Sequence, residues 1–262
     1  MAVRDDIRAQ REKLKGAPLK KKLSYFFYYY KIHLIVAAVI IVALIWIINR
    51  QLNTKPQALT GIFINAENTD ISTDSLEQKT AEKAGIDLSK NSIFLDMTNT
   101  MNPGGPTDQY DYTTIEKIQT RAFNSKLDVI GADASNFKFF AKQSYFCDLR
   151  DIFSDSELEK YKDDIYYVDK KVLDEESKKM DNPDYEVETE DKEKAKSEEL
   201  ASSFVKPDPS EMDDPIPVGI ILSDSSFVKE NNVYNKNVGV IGIIDTAPHK
   251  KAAAALVKTR ME

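Results

Sequence analysis

The chain has 262 residues, a net charge of −7 and one cysteine, Cys147. That length allows one medium domain and a membrane anchor, and a lone cysteine excludes an intramolecular disulfide framework. The charge is uneven. Residues 1–31 hold nine Lys and Arg against three acids, so they carry +6 and residues 32–262 carry −13. An acidic remainder excludes nucleic acid as its partner, because phosphate binding needs clustered positive charge.

Taken in chain order, residues 1–31 read as a basic cytoplasmic tail. Residues 32–48 (IHLIVAAVIIVALIWII) read as a transmembrane helix, since they contain no Lys, Arg, Asp or Glu. At ~1.5 Å per residue this run covers roughly 25 Å, short of a hydrocarbon core of ~30 Å. The aromatic run Tyr25 to Tyr30 extends it on one side, and Trp46 suits the second interface. The following NRQLNTKPQA lacks the small-x-small pattern of a signal-peptidase site, so an uncleaved anchor is expected. Basic residues stay on the cytoplasmic side, which places the N-terminus inside and the C-terminal domain outside. Membrane lipid is the partner expected of the anchor. The basic tail is open to two readings, a topology signal or a contact with anionic lipid.

Residues 49–57 read as a tether. Residues 58–262 then form an extracytoplasmic domain. Ala58–Asn65 reads as its first strand, followed by a weakly helical acidic stretch that stops near Gly85. Ser92–Thr98 reads as a second strand, and Asn99–Tyr112, with Pro-Gly-Gly-Pro, as a turn-rich loop. A helix is expected over Thr113–Lys126, capped by Thr113 or Thr114, with Ile115, Ile118 and Ala122 on one face. Leu127–Asp133 reads as a buried strand, and Asp133 or Ser135 starts a short helix bearing Phe137, Phe140 and Ala141. Phe146–Phe153 reads as an anchored loop and Asp155–Lys162 as a helix. Residues 174–214 are crowded with Asp, Glu and Lys and read as a solvated helix or an acidic insertion. Ile216–Leu222 and Asn237–Asp245 read as strands, and Pro248 to Arg260 as the closing helix. Strands alternating with helices imply an α/β domain with at least some parallel strands.

Residues 127–153 (LDVIGADASNFKFFAKQSYFCDLRDIF) resemble a stretch of the extracellular solute-binding proteins, the type that includes maltose-binding protein. The matching pieces are Asp128-Val129-Ile130, then Phe137 to Ala141, then Asp148-Leu149. VGVIGIIDTAPHKKAAAALVK, near the C-terminus, is similar to a late strand and helix of that family. The resemblance implies a periplasmic-binding-protein-like α/β fold. Leu127 replaces the family's Pro, and the outer segment is short for two full lobes, so one main lobe is expected.

Chemistry is sparsely signalled. Two histidines, His33 and His249, are separated from any triad or metal cluster, and no P-loop, GxGxxG, HExxH or CxxC pattern occurs. Pro183 and a missing glycine spoil a calcium loop at Asp181–Asp184. The pairs Asp163/Asp164 and Asp213/Asp214 lie in charged surroundings and read as solvated. Cys147 reads as a small buried apolar residue. The expectation is a non-enzymatic binding or interaction domain without a cofactor. Its partner would be a small-molecule ligand or an envelope protein. The alternatives are a structural subunit of a membrane assembly or a carboxylate-dependent cell-wall hydrolase. In open α/β sheets a ligand sits outside the carboxyl ends of the strands. Those ends supply Asp96 and Asn99, Asp133, Ser135 and Asn136, and Ser223 and Asp224, with Tyr110 and Tyr112 as an aromatic wall. The alternative for Asp133 and Ser135 is that they only cap the helix.

Overall fold

The computed structural model describes residues 12, 16–66, 73–180, 194–196, 202–222, 225, 228–229, 233–234 and 236–261. The chain forms two compact units, residues 1–55 and 56–262, and each is described by itself.

The first unit includes two helices, α1 (Leu19–Tyr29) and α2 (Lys31–Asn53). Tyr30 lies between them at φ −99° and ψ 12°, a non-helical conformation. α2 is long and apolar enough to cross a membrane, as a membrane anchor or a signal sequence would be, and none of it is buried. Its 23 residues amount to about 34 Å, the length of a hydrocarbon core without help from the aromatic run before it. The helix also continues to Asn53, through most of the stretch expected to be a tether. Asn53 and Thr54 close it with side-chain bonds to Asn49 and Arg50, and the Arg50 guanidinium stands 5.6 Å over Trp46.

The second unit is an α/β domain built on a mixed six-stranded sheet. Its strands are β1 (Gln57–Ile64), β2 (Ser92–Asn99), β3 (Val129–Asp133), β4 (Ile165–Asp169), β5 (Pro215–Ile221) and β6 (Gly239–Ile243). Their spatial order is β2-β1-β3-β6-β5-β4. β1 runs parallel to β2 and β3, whereas β6 is antiparallel to β3 and to β5, and β4 is antiparallel to β5. β3 and β6 are buried along their whole length, and β1 is from Leu59 onward, as a sheet covered on both faces requires. Edge strand β2 alternates instead, with Ile93, Leu95 and Met97 inward and Phe94 and Thr98 outward.

Its helices include α3 (Asp74–Ala84), α4 (Gln109–Phe123), α5 (Ala134–Lys142), α6 (Asp155–Leu158), α7 (Lys170–Met180) and α8 (Lys250–Met261). α3 ends where expected, on Gly85 at φ 68°, which a side chain would strain. α8 packs its alanine-rich face on α3 and on β6. Two elements depart from expectation. α4 begins four residues early, because Asp108 caps it by accepting from the N–H groups of Tyr110 and Asp111. The expected cap Thr114 instead donates to Thr100 O. β4 was not expected: the helix read over Asp155–Lys162 stops short of it, and its short Ile-Tyr-Tyr-Val run sits among charged residues. Residues 174–180, where the solvated helix or acidic insertion was expected to begin, belong to α7, while residues 181–193 and 197–201 lie outside the described residues.

Candidate functional site

The carboxyl ends of β1, β2 and β3 meet in one polar network. Asp133 closes β3 and is fully buried. Its carboxylate accepts from the N–H of Asn136 at 3.0 Å, from Asn136 Nδ2 at 2.8 Å and from Asn65 Nδ2 at 2.8 Å. It therefore caps α5 and also reaches across to the end of β1. Asn65 stands at φ 55°, a left-handed position that asparagine tolerates. From there it pairs with both backbone groups of Met101, donating at 2.7 Å and accepting at 3.0 Å. Burial pushes the Asp133 carboxyl above the ordinary carboxylate range, against the pull of these donors.

A second carboxylate lies on β2. Asp96 bonds Lys117 Nζ at 2.6 Å, and the same ammonium donates to Asn99 Oδ1 at 2.7 Å. Burial alone would raise the Asp96 carboxyl, but Lys117 and the Thr98 hydroxyl and N–H outweigh it and lower it to about 2. A third, Asp111, was not singled out by sequence. It sits in the first turn of α4 and accepts from the N–H and Nδ2 of Asn102, both at 2.9 Å, and from the N–H of Thr107 at 2.8 Å. These bonds lower its carboxyl despite burial. Between Asn102 and Thr107 run Gly104 at φ 82° and Gly105 at φ 118°, where a Cβ on Gly105 would stand 2.7 Å from Phe139. The glycine loop is thus wound around an internal anion.

The predicted site residues separate accordingly. Asp133, Ser135 and Asn136 come together, but sealed from solvent. Asp96 and Asn99 come together through Lys117. Tyr110 and Tyr112 are exposed on the first turn of α4, not on the glycine loop. Ser223 and Asp224 lie outside the described residues. Two buried polar atoms of the set, Ser135 Oγ and Asn136 Oδ1, have no hydrogen-bond partner among the described residues.

Asp128, just ahead of β3, has a structural role. It is buried and accepts from the N–H of Thr60 and of His249, both at 2.8 Å, and His249 Nδ1 lies 3.2 Å away. It ties β1 to the residue that leads into α8. An acid beside a strand and a residue just ahead of a helix offer no sequence signal that they meet. Burial pushes the Cys147 thiol up to about 11, as a small apolar residue of the core requires.

Open concavities among the described residues include two. One, of about 310 Å³, lies beside the first turn of α5 and is lined by Ala134, Lys138, Tyr166, residues 203–205 and Pro207. The other, of about 330 Å³, lies at the opposite end of the sheet, at the start of β3. Its walls come from Gln119 and Phe123 of α4, Gln143 and Tyr145 after α5, and Ile244 and Asp245 after β6. Phe123 is 91% exposed. An aromatic left in water beside a mainly apolar groove can receive an apolar side chain of another molecule. No sequence signal placed this groove, because its walls are brought together by the pairing of Val129 with Ile243.

The Asp96 assignment has a consequence in acid. Its folded value lies below the unfolded one, so its contribution to stability is complete above about pH 4 and lost as pH falls toward 2. Lys117→Met should leave a half-buried carboxylate without its ammonium. Its folded value then rises toward or past the unfolded one, so urea melts stepped from pH 7 to 2 should show a variant less stable at pH 7 and a smaller further loss below pH 4 than in the parent. Identical acid limbs would mean that Lys117 does not hold Asp96.

No family model, curated protein or solved structure matches this chain.

Proposed function

We propose that the chain is a membrane-anchored extracytoplasmic interaction domain, non-enzymatic, with its N-terminus in the cytoplasm and its fold a single lobe of the solute-binding-protein type. Its partner on this reading is a protein of the cell envelope. The observation that carries the reading is the internal use of the strand-end carboxylates. Asp96 and Asp133 are engaged by the domain's own donors, as is Asp111 at the head of α4, and this leaves little charge for a solute or a substrate. Length supports it too. The connection between α7 and β5 spans residues 181–214, fewer than the roughly 50 residues of a small second lobe. The family-like pieces occupy suitable elements: Val129-Ile130 in β3, the aromatics on α5, and Leu149 buried in the loop beyond. The basic tail ahead of α2 supports the orientation.

The test is the mass of the full chain purified in mild detergent, beside that of Phe123→Asp. A stoichiometric complex that dissociates at least tenfold more readily in the variant is expected, since exposed aromatics beside a groove carry much of a contact's energy. A clean monomer for both would overturn the reading.

One observation favours a second reading. The unpartnered Ser135 Oγ and Asn136 Oδ1 would suit a small polar ligand at the strand ends, provided the site opens. Thermal shifts of the same protein with sugars, amino acids and peptides decide it, and no shift with any of them removes it.

A further inference from the structure

Helix α1 has no assigned work once α2 is long enough to span a bilayer alone. On an ideal helix, steps of 100° place Leu19, Leu23, Phe26, Phe27 and Tyr30 within one stripe about 100° wide. Lys20 and Lys22 flank that stripe on its two sides, and Lys21 and Ser24 lie behind it. Leu19, Leu23, Phe26 and Phe27 are all exposed in the first unit, Leu19 to 84%. Tyr30 leaves helical geometry and divides α1 from α2, although its N–H still bonds Phe26 O and its carbonyl accepts from the Leu34 N–H.

We propose that α1 lies in the plane of the membrane, on the anionic phospholipid of the leaflet that α2 enters. Leu19, Leu23, Phe26 and Phe27 sink to the boundary between headgroups and acyl chains, and Lys20 and Lys22 extend sideways to lipid phosphates. The occupant is a lipid surface for two reasons on the chain itself. The stripe runs without a gap into a helix of membrane-spanning length, and residues 1–31 carry +6. An apolar stripe with a lysine on each flank is the pattern of helices that bind at this depth. Tyr30 is then the residue where an in-plane helix turns into a spanning one. The proposal rests on α2 being an uncleaved anchor, and the experiment separates the two.

The full chain, in a Cys147→Ala background, is labelled with a nitroxide at Leu23→Cys, Ser24→Cys or Val39→Cys and reconstituted in vesicles. The vesicles are phosphatidylcholine alone or with phosphatidylglycerol. Collisions with oxygen and with a water-soluble nickel complex are measured. The expected result is a Leu23 label shielded from nickel, a Ser24 label exposed to it, and a Val39 label deep in the bilayer. Lys20→Gln together with Lys22→Gln should weaken the Leu23 shielding in the anionic vesicles, by about fivefold per lysine. Equal nickel exposure at Leu23 and Ser24 with Val39 protected overturns the in-plane helix and leaves the anchor standing. Nickel reaching Val39 overturns both. Shielding at Leu23 that ignores lipid charge and both lysines overturns the anionic-lipid assignment.

Discussion

Replacing Asp133 with alanine is expected to remove about 3–5 kcal/mol of stability, a large part of what holds a domain of this size together. The carboxylate is the shared acceptor for Asn136 N–H, Asn136 Nδ2 and Asn65 Nδ2, all within 3.0 Å. Without it three donors remain in a site that water does not reach, each costing roughly 1–3 kcal/mol. Asn65 would also lose what fixes it in its left-handed conformation, and with it the link to Met101. Asp133→Asn keeps the volume but only one acceptor oxygen, and its new amide turns toward other donors, so about 2 kcal/mol is expected. Urea unfolding of the two variants measures this. The ligand reading has the opposite signature: little change in stability with a lost thermal shift. The pH dependence is also distinctive. Burial holds the Asp133 carboxyl high, so the stability it contributes is present below the unfolded value and declines as pH rises through the folded one, opposite in sign to Asp96.

The second large effect concerns Phe137. Its ring stacks on Phe146 with centroids 4.2 Å apart and meets Tyr166 edge-on at 5.1 Å. Phe137→Ala should cost about 3–5 kcal/mol through the cavity and the lost ring contacts. Opposite the ring is Gly219 of β5, where a Cβ would stand 2.5 Å from Phe137 Cζ and 3.0 Å from Val240 Cγ1. Gly219→Ala alone should cost about 1–3 kcal/mol by overpacking. Combined with Phe137→Ala, the new methyl enters vacated space, so the double variant should be more stable than the sum of the two losses predicts. A double-mutant cycle in urea measures the coupling, and simple additivity would refute the packing relation.

Phe137 and Gly219 also illustrate what was legible in the chain. Phe137 was readable as a core residue, because it shares a helical face with Phe140 and Ala141. Its partner was not, because Gly219 lies on a strand far along the sequence and a glycine carries no hydrophobic signal. The strand-end residues behave likewise. Asp133 was readable as a strand end and a helix cap from its place between VIGA and a short helix. That Asn65 would share its carboxylate depended on the parallel pairing of β1 with β3, in which Phe63 lies opposite Gly131. Tyr110 and Tyr112 were misplaced for a local reason. Asp108 caps better than the threonines expected to, because its carboxylate takes two backbone N–H groups, and the Asp111 carboxylate draws the glycine loop back onto the new first turn.

Sequence by itself determined the features with one-dimensional physical causes. A long uncharged apolar run makes a helix of membrane-spanning length, and alternation of strand and helix patterns makes an α/β domain. Even these had a limit, since the tether of 49–57 proved to be mostly the end of α2 once Asn53 and Thr54 bonded back along it. Only the tertiary structure decided the antiparallel half of the sheet, the addition of β4 at its edge, and the fate of each buried charge. Those depend on which distant donors a fold brings within about 3 Å of a carboxylate, and on the burial that makes leaving them unpaired so costly. The same accounting turned three acids that resembled ligand residues, or went unnoticed, into supports of the fold, and left the groove beside Phe123 as an open surface of the domain.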